Sequence, residues 1–210
     1  MSKVIIIYVA LKTEEHDPDR LADRIRQLSG LTDFELLPVY LTRDEWFTKL
    51  SFDFNADRNT AASAFLDEIL NIHLPEALKS VPQECNTPDI LIAGYSLAGL
   101  FSLWCLYNTD VFCGAISGSG SLWYEGFSDY VYTHGIRRPG IVYLSLGSKE
   151  HKSRNPLMRT VMEKTEAVYG HLKNEANVEA VVFEMNPGNH FQDVDERMVK
   201  GIAWALKHTI

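Results

Sequence analysis

The sequence predicts a three-layer α/β/α sandwich on a mostly parallel sheet of about six strands. Short β-branched runs alternate along the chain with segments whose apolar residues recur at helical spacing. Two of those segments open on the same signal, Asp17-Pro18 and Asn155-Pro156, a capping side chain followed by a first-turn proline. Strand-helix alternation at this spacing calls for right-handed crossovers, which place helices on both faces of a parallel sheet.

Val4 to Ala10 is a continuous apolar run, the pattern of a strand covered on both faces. The helix begun at Asp17-Pro18 carries Leu21, Ile25 and Leu28 on one face and stops at Gly30. Phe34 to Leu41 is the second strand. An aromatic-rich loop with Trp46, Phe47, Phe52 and Phe54 follows, then a helix from about Thr60 with Phe65, Ile69 and Ile72, which Pro75 should kink or end. Asp89 to Tyr95 is the third strand and Leu97 to about Asn108 its helix. "VFCGAISGSG" and "GIVYLSLGS" are the fourth and fifth strands, with a short crossover between them. A helix from Asn155 to about Asn174, the strand "VEAVVFEM" and a helix striped by Val194, Met198, Ile202 and Ala205 complete the chain.

The 210 residues, 46% hydrophobic and 11% aromatic, fit one domain spanning 1–210, large enough to bury a core without disulfides or metals. No segment approaches the roughly 18 to 20 consecutive apolar residues that span a bilayer. The apolar stretch in "MSKVIIIYVALKTEEHD" is too short for a signal-peptide core and reads as a strand of a cytoplasmic protein. Three cysteines, Cys85, Cys105 and Cys113, lack CxxC spacing and read as free thiols. There is no HExxH and no His/Asp clustering at ligand spacing, so neither metal nor cofactor is called for. A net charge of −8 without a basic stripe argues against nucleic acid as a partner.

In a parallel sheet the ligand crevice lies outside the carboxyl ends of the strands. There, after the third strand, stands Gly94-Tyr95-Ser96-Leu97-Ala98-Gly99, a small polar residue fenced by glycines between two apolar runs. A strand-turn-helix setting is what a nucleophile elbow requires. Small residues at 94 and 98 let strand and helix backbones pass closely while Ser96 turns outward. The Leu97 amide, at the helix N-terminus, can then donate to an oxyanion. A structural turn with a satisfied serine is the plainer alternative.

A serine nucleophile needs a histidine on the same sheet edge. Of seven histidines, His190 in "NPGNHF" directly follows the last strand, and His151 is the runner-up; His16, His73, His134, His171 and His208 read as surface or capping residues. The carboxylate that fixes the imidazole tautomer is best supplied by Glu150, three residues past Gly147, with Asp129 as a substitute. Asp193 is accounted for as a helix cap.

With these residues in place the chain resembles the α/β-hydrolase superfamily, and more narrowly the esterase family that includes esterase D and the siderophore trilactone esterases. "GYSLAGL", "SGSLWYEGF", "LSLGSKEHKSRNPLM" and "NPGNHFQD", in that order, carry the resemblance over most of the chain. It implies Ser96 as nucleophile, His190 as base and a minimal version of the fold. Relatives often have His-Gly after the first core strand where this chain has Ala10-Leu11-Lys12, and Ser-Pro-Ser where it has Ser119-Gly120-Ser121. The second oxyanion donor is then the amide of Leu11 or of Ala10. Some members of the siderophore branch work with a Ser-His dyad, which leaves Glu150 between a triad role and none.

The expected activity is hydrolysis of small to moderately sized carboxylic esters through an acyl-enzyme on Ser96, at an open site without a large lid. Tyr95, Trp123, Tyr124 and Trp46 would line the substrate pocket, with Phe127, Phe191 and the loop to Phe54 as further candidates. Thioesterase or acyltransferase chemistry at the same site, and a non-catalytic binding protein on the same fold, are the competing readings.

Overall fold

A computed structural model describes residues 4–13, 17–54, 60–79 and 88–209. Among the described residues, six strands form one all-parallel sheet: β1 (Val4–Leu11), β2 (Phe34–Leu41), β3 (Asp89–Tyr95), β4 (Gly114–Gly118), β5 (Gly140–Gly147) and β6 (Val178–Asn186), in the order β2-β1-β3-β4-β5-β6. The chain leaves β1 toward β2 on one side and returns to place β3 on the other. That reversal opens a crevice at the carboxyl ends of β1 and β3.

Period-two alternation sends the side chains of β1 into two cores. Ile5, Ile7 and Val9 face one layer, with α2 (Arg43–Lys49), α3 (Thr60–Glu68), α5 (Leu97–Asn108), α6 (Phe127–Thr133) and α8 (Val161–Leu172). Val4, Ile6, Tyr8 and Ala10 face the other, with α1 (Pro18–Ser29) and α9 (Val194–Thr209). The six-strand, two-faced architecture is the one the periodicity predicts. Asp17 caps α1 by accepting from the amides of Asp19 and Arg20, and Gly30 closes it in the left-handed region at φ 75°. α5 is buried from Ala98 to Tyr107, as befits a helix that is apolar all round. Phe65 of α3 meets Phe101, Phe52 meets Trp104 and Tyr130 of α6 meets Tyr107, covering α5 on the side away from the sheet.

Several local readings change. The aromatic "loop" after β2 begins with a helix, α2, opened by a capping box in which Thr42 and Glu45 bond reciprocally. Pro75 does not end its helix: a π turn at Ile69–His73 precedes it and the chain stays helical through α4 (Leu74–Leu78). Widening the turn relieves the clash a proline ring makes with the carbonyl four residues back. The inserted residue also rotates the face, so Ile72 is 63% exposed; Leu28, in the last turn of α1, is exposed as well. The helix read from Asn155 breaks at Thr160 into α7 (Pro156–Arg159) and α8. Of the three cysteines, Cys105 and Cys113 are free and buried, while Cys85 and His16 lie outside the described residues.

Candidate active site

β3 runs into α5 through a single residue, Ser96, whose backbone sits at φ 58°, ψ −119°. A non-glycine residue persists there only when its surroundings over-determine it. They do so on both sides: the Ser96 amide donates to the Gly118 carbonyl at 2.9 Å, and its carbonyl accepts from the amides of Leu100 at 3.1 Å and Ser121 at 3.0 Å. Gly94 is required for the crossing, because a Cβ on it would lie 2.5 Å from the Ala98 carbonyl oxygen.

His190 reaches the serine from the loop after β6, its Nε2 3.0 Å from Ser96 Oγ. Its Nδ1 lies 2.8 Å from Glu150 Oε2. The loop is pinned to the end of β5, where the Ser148 amide donates to Asn186 O and the Lys149 amide to Gly188 O. Glu150 opens a 3-10 turn after β5 and its side chain is only 4% exposed. Its Oε1 accepts from Ser119 Oγ at 2.7 Å, the Gly147 amide at 2.6 Å and Arg197 at 3.1 Å. Burial by itself pushes this carboxyl up; hydrogen bonds from His190, Ser119 and the Gly147 amide together outweigh it and hold the group below the ordinary carboxylate range. Glu150 is therefore an anion at neutral pH, and it holds the imidazole with Nε2 toward Ser96.

The chain has the α/β-hydrolase fold. No family model matches it. The protein is 26% identical over 148 residues to the uncharacterized protein YbbA of Bacillus subtilis (strain 168), covering 67% of this chain and 58% of that relative's length. Among solved structures it superposes on the siderophore hydrolase EstA from Aspergillus nidulans with a TM-score of 0.74 at 16% identity, covering 100% of this chain and 84% of that one. An IroE-like serine hydrolase from Shewanella oneidensis gives 0.69 at 13% identity, covering 100% and 72%.

In this α/β-hydrolase fold Leu97, Leu11 and Ala10, whose backbone amides the sequence singled out, line the same cleft as Ser96. Leu97 is the first residue of α5. The Lys12 amide donates to Leu41 O of β2 at 2.7 Å. Successive strand amides point to opposite edges, so the Leu11 amide faces β3, whose pairing with β1 ends at Val9↔Gly94, while the Ala10 amide faces β2. That alternation separates Leu11 from Ala10.

A cleft of about 1710 Å³ opens over Ser96. Trp46, Trp123 and Tyr95 line it, as do Phe47 and Phe191, which are 60% and 85% exposed at its mouth. Tyr124 is not in the lining: it packs against Phe52 and Phe54, and its hydroxyl accepts from the Phe52 amide. Phe127 is wholly buried in the same cluster. Tyr95 presents its hydroxyl not to the cleft centre but to the protein, donating to the His190 carbonyl at 2.7 Å and accepting from Arg197 at 2.9 Å. Burial pushes its phenol up, so it remains a donor at neutral pH.

The alternatives lie elsewhere. His151 is adjacent to Glu150 but has a buried Nδ1 without a hydrogen-bond partner, and Asp129 sits on α6. His134 stacks on Tyr130, and His208 on Trp204. Asp193 precedes α9 at φ 54°, and its carbonyl, not its side chain, accepts the Arg197 amide. Three residues escaped the sequence reading: Ser119, at φ 43°, which bonds Glu150; Ser121, whose Oγ is 3.4 Å from Ser96 Oγ; and Arg197. For Arg197 a signal existed, a charged residue on the apolar stripe of α9 between Val194 and Gly201.

Proposed function

We propose that this protein is a serine-dependent carboxylic ester hydrolase. The observation that carries the reading is the line of contacts from Ser96 Oγ through the His190 ring to a buried, ionised Glu150, at 3.0 Å and 2.8 Å. Ester chemistry agrees with the siderophore hydrolase and serine hydrolase that share the fold.

His190 Nε2 takes the Ser96 proton as Oγ attacks the ester carbonyl. The oxyanion is stabilised by the Leu97 and Leu11 amides, and collapse of the tetrahedral intermediate expels the alcohol, which leaves with the proton held on His190. Water then gives its proton to His190 and attacks the acyl-enzyme; the acid departs as Ser96 recovers its hydrogen. Glu150 stabilises the transient imidazolium without taking its proton. The volume of the cleft and the aromatic side chains at its mouth favour an ester with at least one bulky, apolar part. Typical small-ligand pockets hold about 300–1,000 Å³.

Labelling with a fluorophosphonate probe and turnover of p-nitrophenyl acetate and butyrate test the assignment. Wild type is expected to label at Ser96 and to turn over both esters, and Ser96→Ala to do neither. A wild-type protein that neither labels nor hydrolyses either ester returns Ser96 to a structural turn and favours a binding protein on this fold.

A further inference from the structure

Arg197 is fully buried, where an unpaired guanidinium is unfavourable, yet the stripe of α9 on either side of it is apolar. Its NH1 shares two hydrogens among three acceptors, Tyr95 Oη at 2.9 Å, Ser119 Oγ at 2.9 Å and Glu150 Oε1 at 3.1 Å. Its NH2 donates to the carbonyls of Pro187 at 3.0 Å and Asn189 at 2.8 Å. These acceptors come from four separate pieces of chain: β3, which carries the elbow, and the loops after β4, β5 and β6, the last two carrying Glu150 and His190. Asn189 O is held directly and His190 O through Tyr95, so the backbone on both sides of the 189–190 bond is fixed by one cation. The planar guanidinium does this through its two terminal nitrogens, leaving the buried Nε without a partner; an ammonium, a single point on a flexible stem, cannot meet acceptors spread so widely.

The charge matters separately from the geometry. Arg197 touches the carboxylate oxygen that does not face His190. A cation there favours the ionised form of the Glu150 carboxylate. The other ionisable groups facing the cleft are Tyr8 of β1, Arg43 of α2, Lys149, Lys152 and Arg154 after β5, and Asp193 and Asp195 at the start of α9. Arg24 and Glu196 are also there, paired with each other. Among the described residues, none of these side chains hydrogen-bonds to Glu150, His190 or Arg197.

Resting on the ester-hydrolase reading, we infer that Arg197 is the positioning residue of the site: it locks acid, base loop and elbow strand together, and its charge sits against the carboxylate of Glu150.

The test uses the full chain as wild type, Arg197→Met, Arg197→Lys and Tyr95→Phe, each checked for folding by circular dichroism. kcat and KM for p-nitrophenyl butyrate are measured across pH. In Arg197→Met, kcat is expected to fall about 10²-fold, as for a misplacement of about 1 Å, with its acid limb displaced upward because the charge beside Glu150 is gone. Arg197→Lys should lose kcat similarly but keep the wild-type acid limb, since the charge stays; Tyr95→Phe should lower kcat alone. A folded Arg197→Met with wild-type kcat and acid limb overturns the inference, as does an acid limb displaced equally in the Lys and Met variants. If Arg197→Met does not fold, wild-type kcat in Arg197→Lys overturns it. If wild type hydrolyses no ester, the functional reading fails but Arg197 is still tested by NMR titration of the His190 ring: displacement in Arg197→Met relative to Arg197→Lys supports the charge role, and identical curves overturn it.

Discussion

Replacing Glu150 by glutamine discriminates between a triad and a dyad. The carboxylate is an acceptor on every side: Oε1 takes Ser119, the Gly147 amide and Arg197, and Oε2 takes His190. A glutamine amide has one acceptor and one donor end. If its NH2 faces His190, the ring must present a bare Nδ1 and place its proton on Nε2, where it cannot receive one from Ser96. If its NH2 faces the other way, it meets three donors and leaves Arg197 buried without a counter-charge. Either arrangement removes the anion that stabilises the imidazolium. Loss of the correct tautomer costs about 10⁴-fold in kcat, or roughly 5 kcal/mol of barrier at about 1.36 kcal/mol per decade. Breaking a buried ion pair on one side also lowers stability by about 3–5 kcal/mol. Single-turnover acylation by p-nitrophenyl butyrate, with thermal unfolding alongside, reads both quantities. A folded Glu150→Gln that acylates within about tenfold of wild type, against the roughly 10⁴-fold loss expected, would refute the reasoning and leave a Ser-His dyad.

Gly94→Ala should destabilise the elbow by about 1–3 kcal/mol, because the new methyl meets the Ala98 backbone at 2.5–2.6 Å; chemical denaturation measures this, and a wild-type midpoint would contradict the close crossing. The Glu150 carboxyl lies below its ordinary value in the folded protein, so the unfolded chain binds its proton first as pH falls. Its contribution is complete above the ordinary carboxylate range and is lost as pH drops through its lower folded value; stability followed from pH 6 to pH 3 should decline less steeply in Glu150→Gln than in wild type.

The fold was legible because its signals are local. "VIIIYVA" is covered on both faces whatever covers it, and Asp17-Pro18 caps a helix through its own next residues. The π turn before Pro75 and the break at Thr160 were not, since each depends on how a strained segment settles against its neighbours. At the site, the glycine-fenced Ser96 and the strand-end positions of His190 and Glu150 follow from sequence order combined with the rule that parallel sheets present their loops at one edge.

What sequence alone determined, then, is which residues reach that edge: a glycine-fenced serine after β3, a carboxylate after β5 and a histidine after β6. Distances across the edge belong to the tertiary structure, because residues 94 positions apart, such as Ser96 and His190, meet only when the strand order is fixed. Tyr124 turned into the aromatic cluster and Tyr95 onto the histidine loop for the same reason: an aromatic side chain goes where its ring is covered and its hydroxyl bonded, which packing decides. Arg197 is the clearest instance. On its helix it interrupts an apolar stripe, and only the convergence of four chain segments supplies the acceptors that allow a buried cation there.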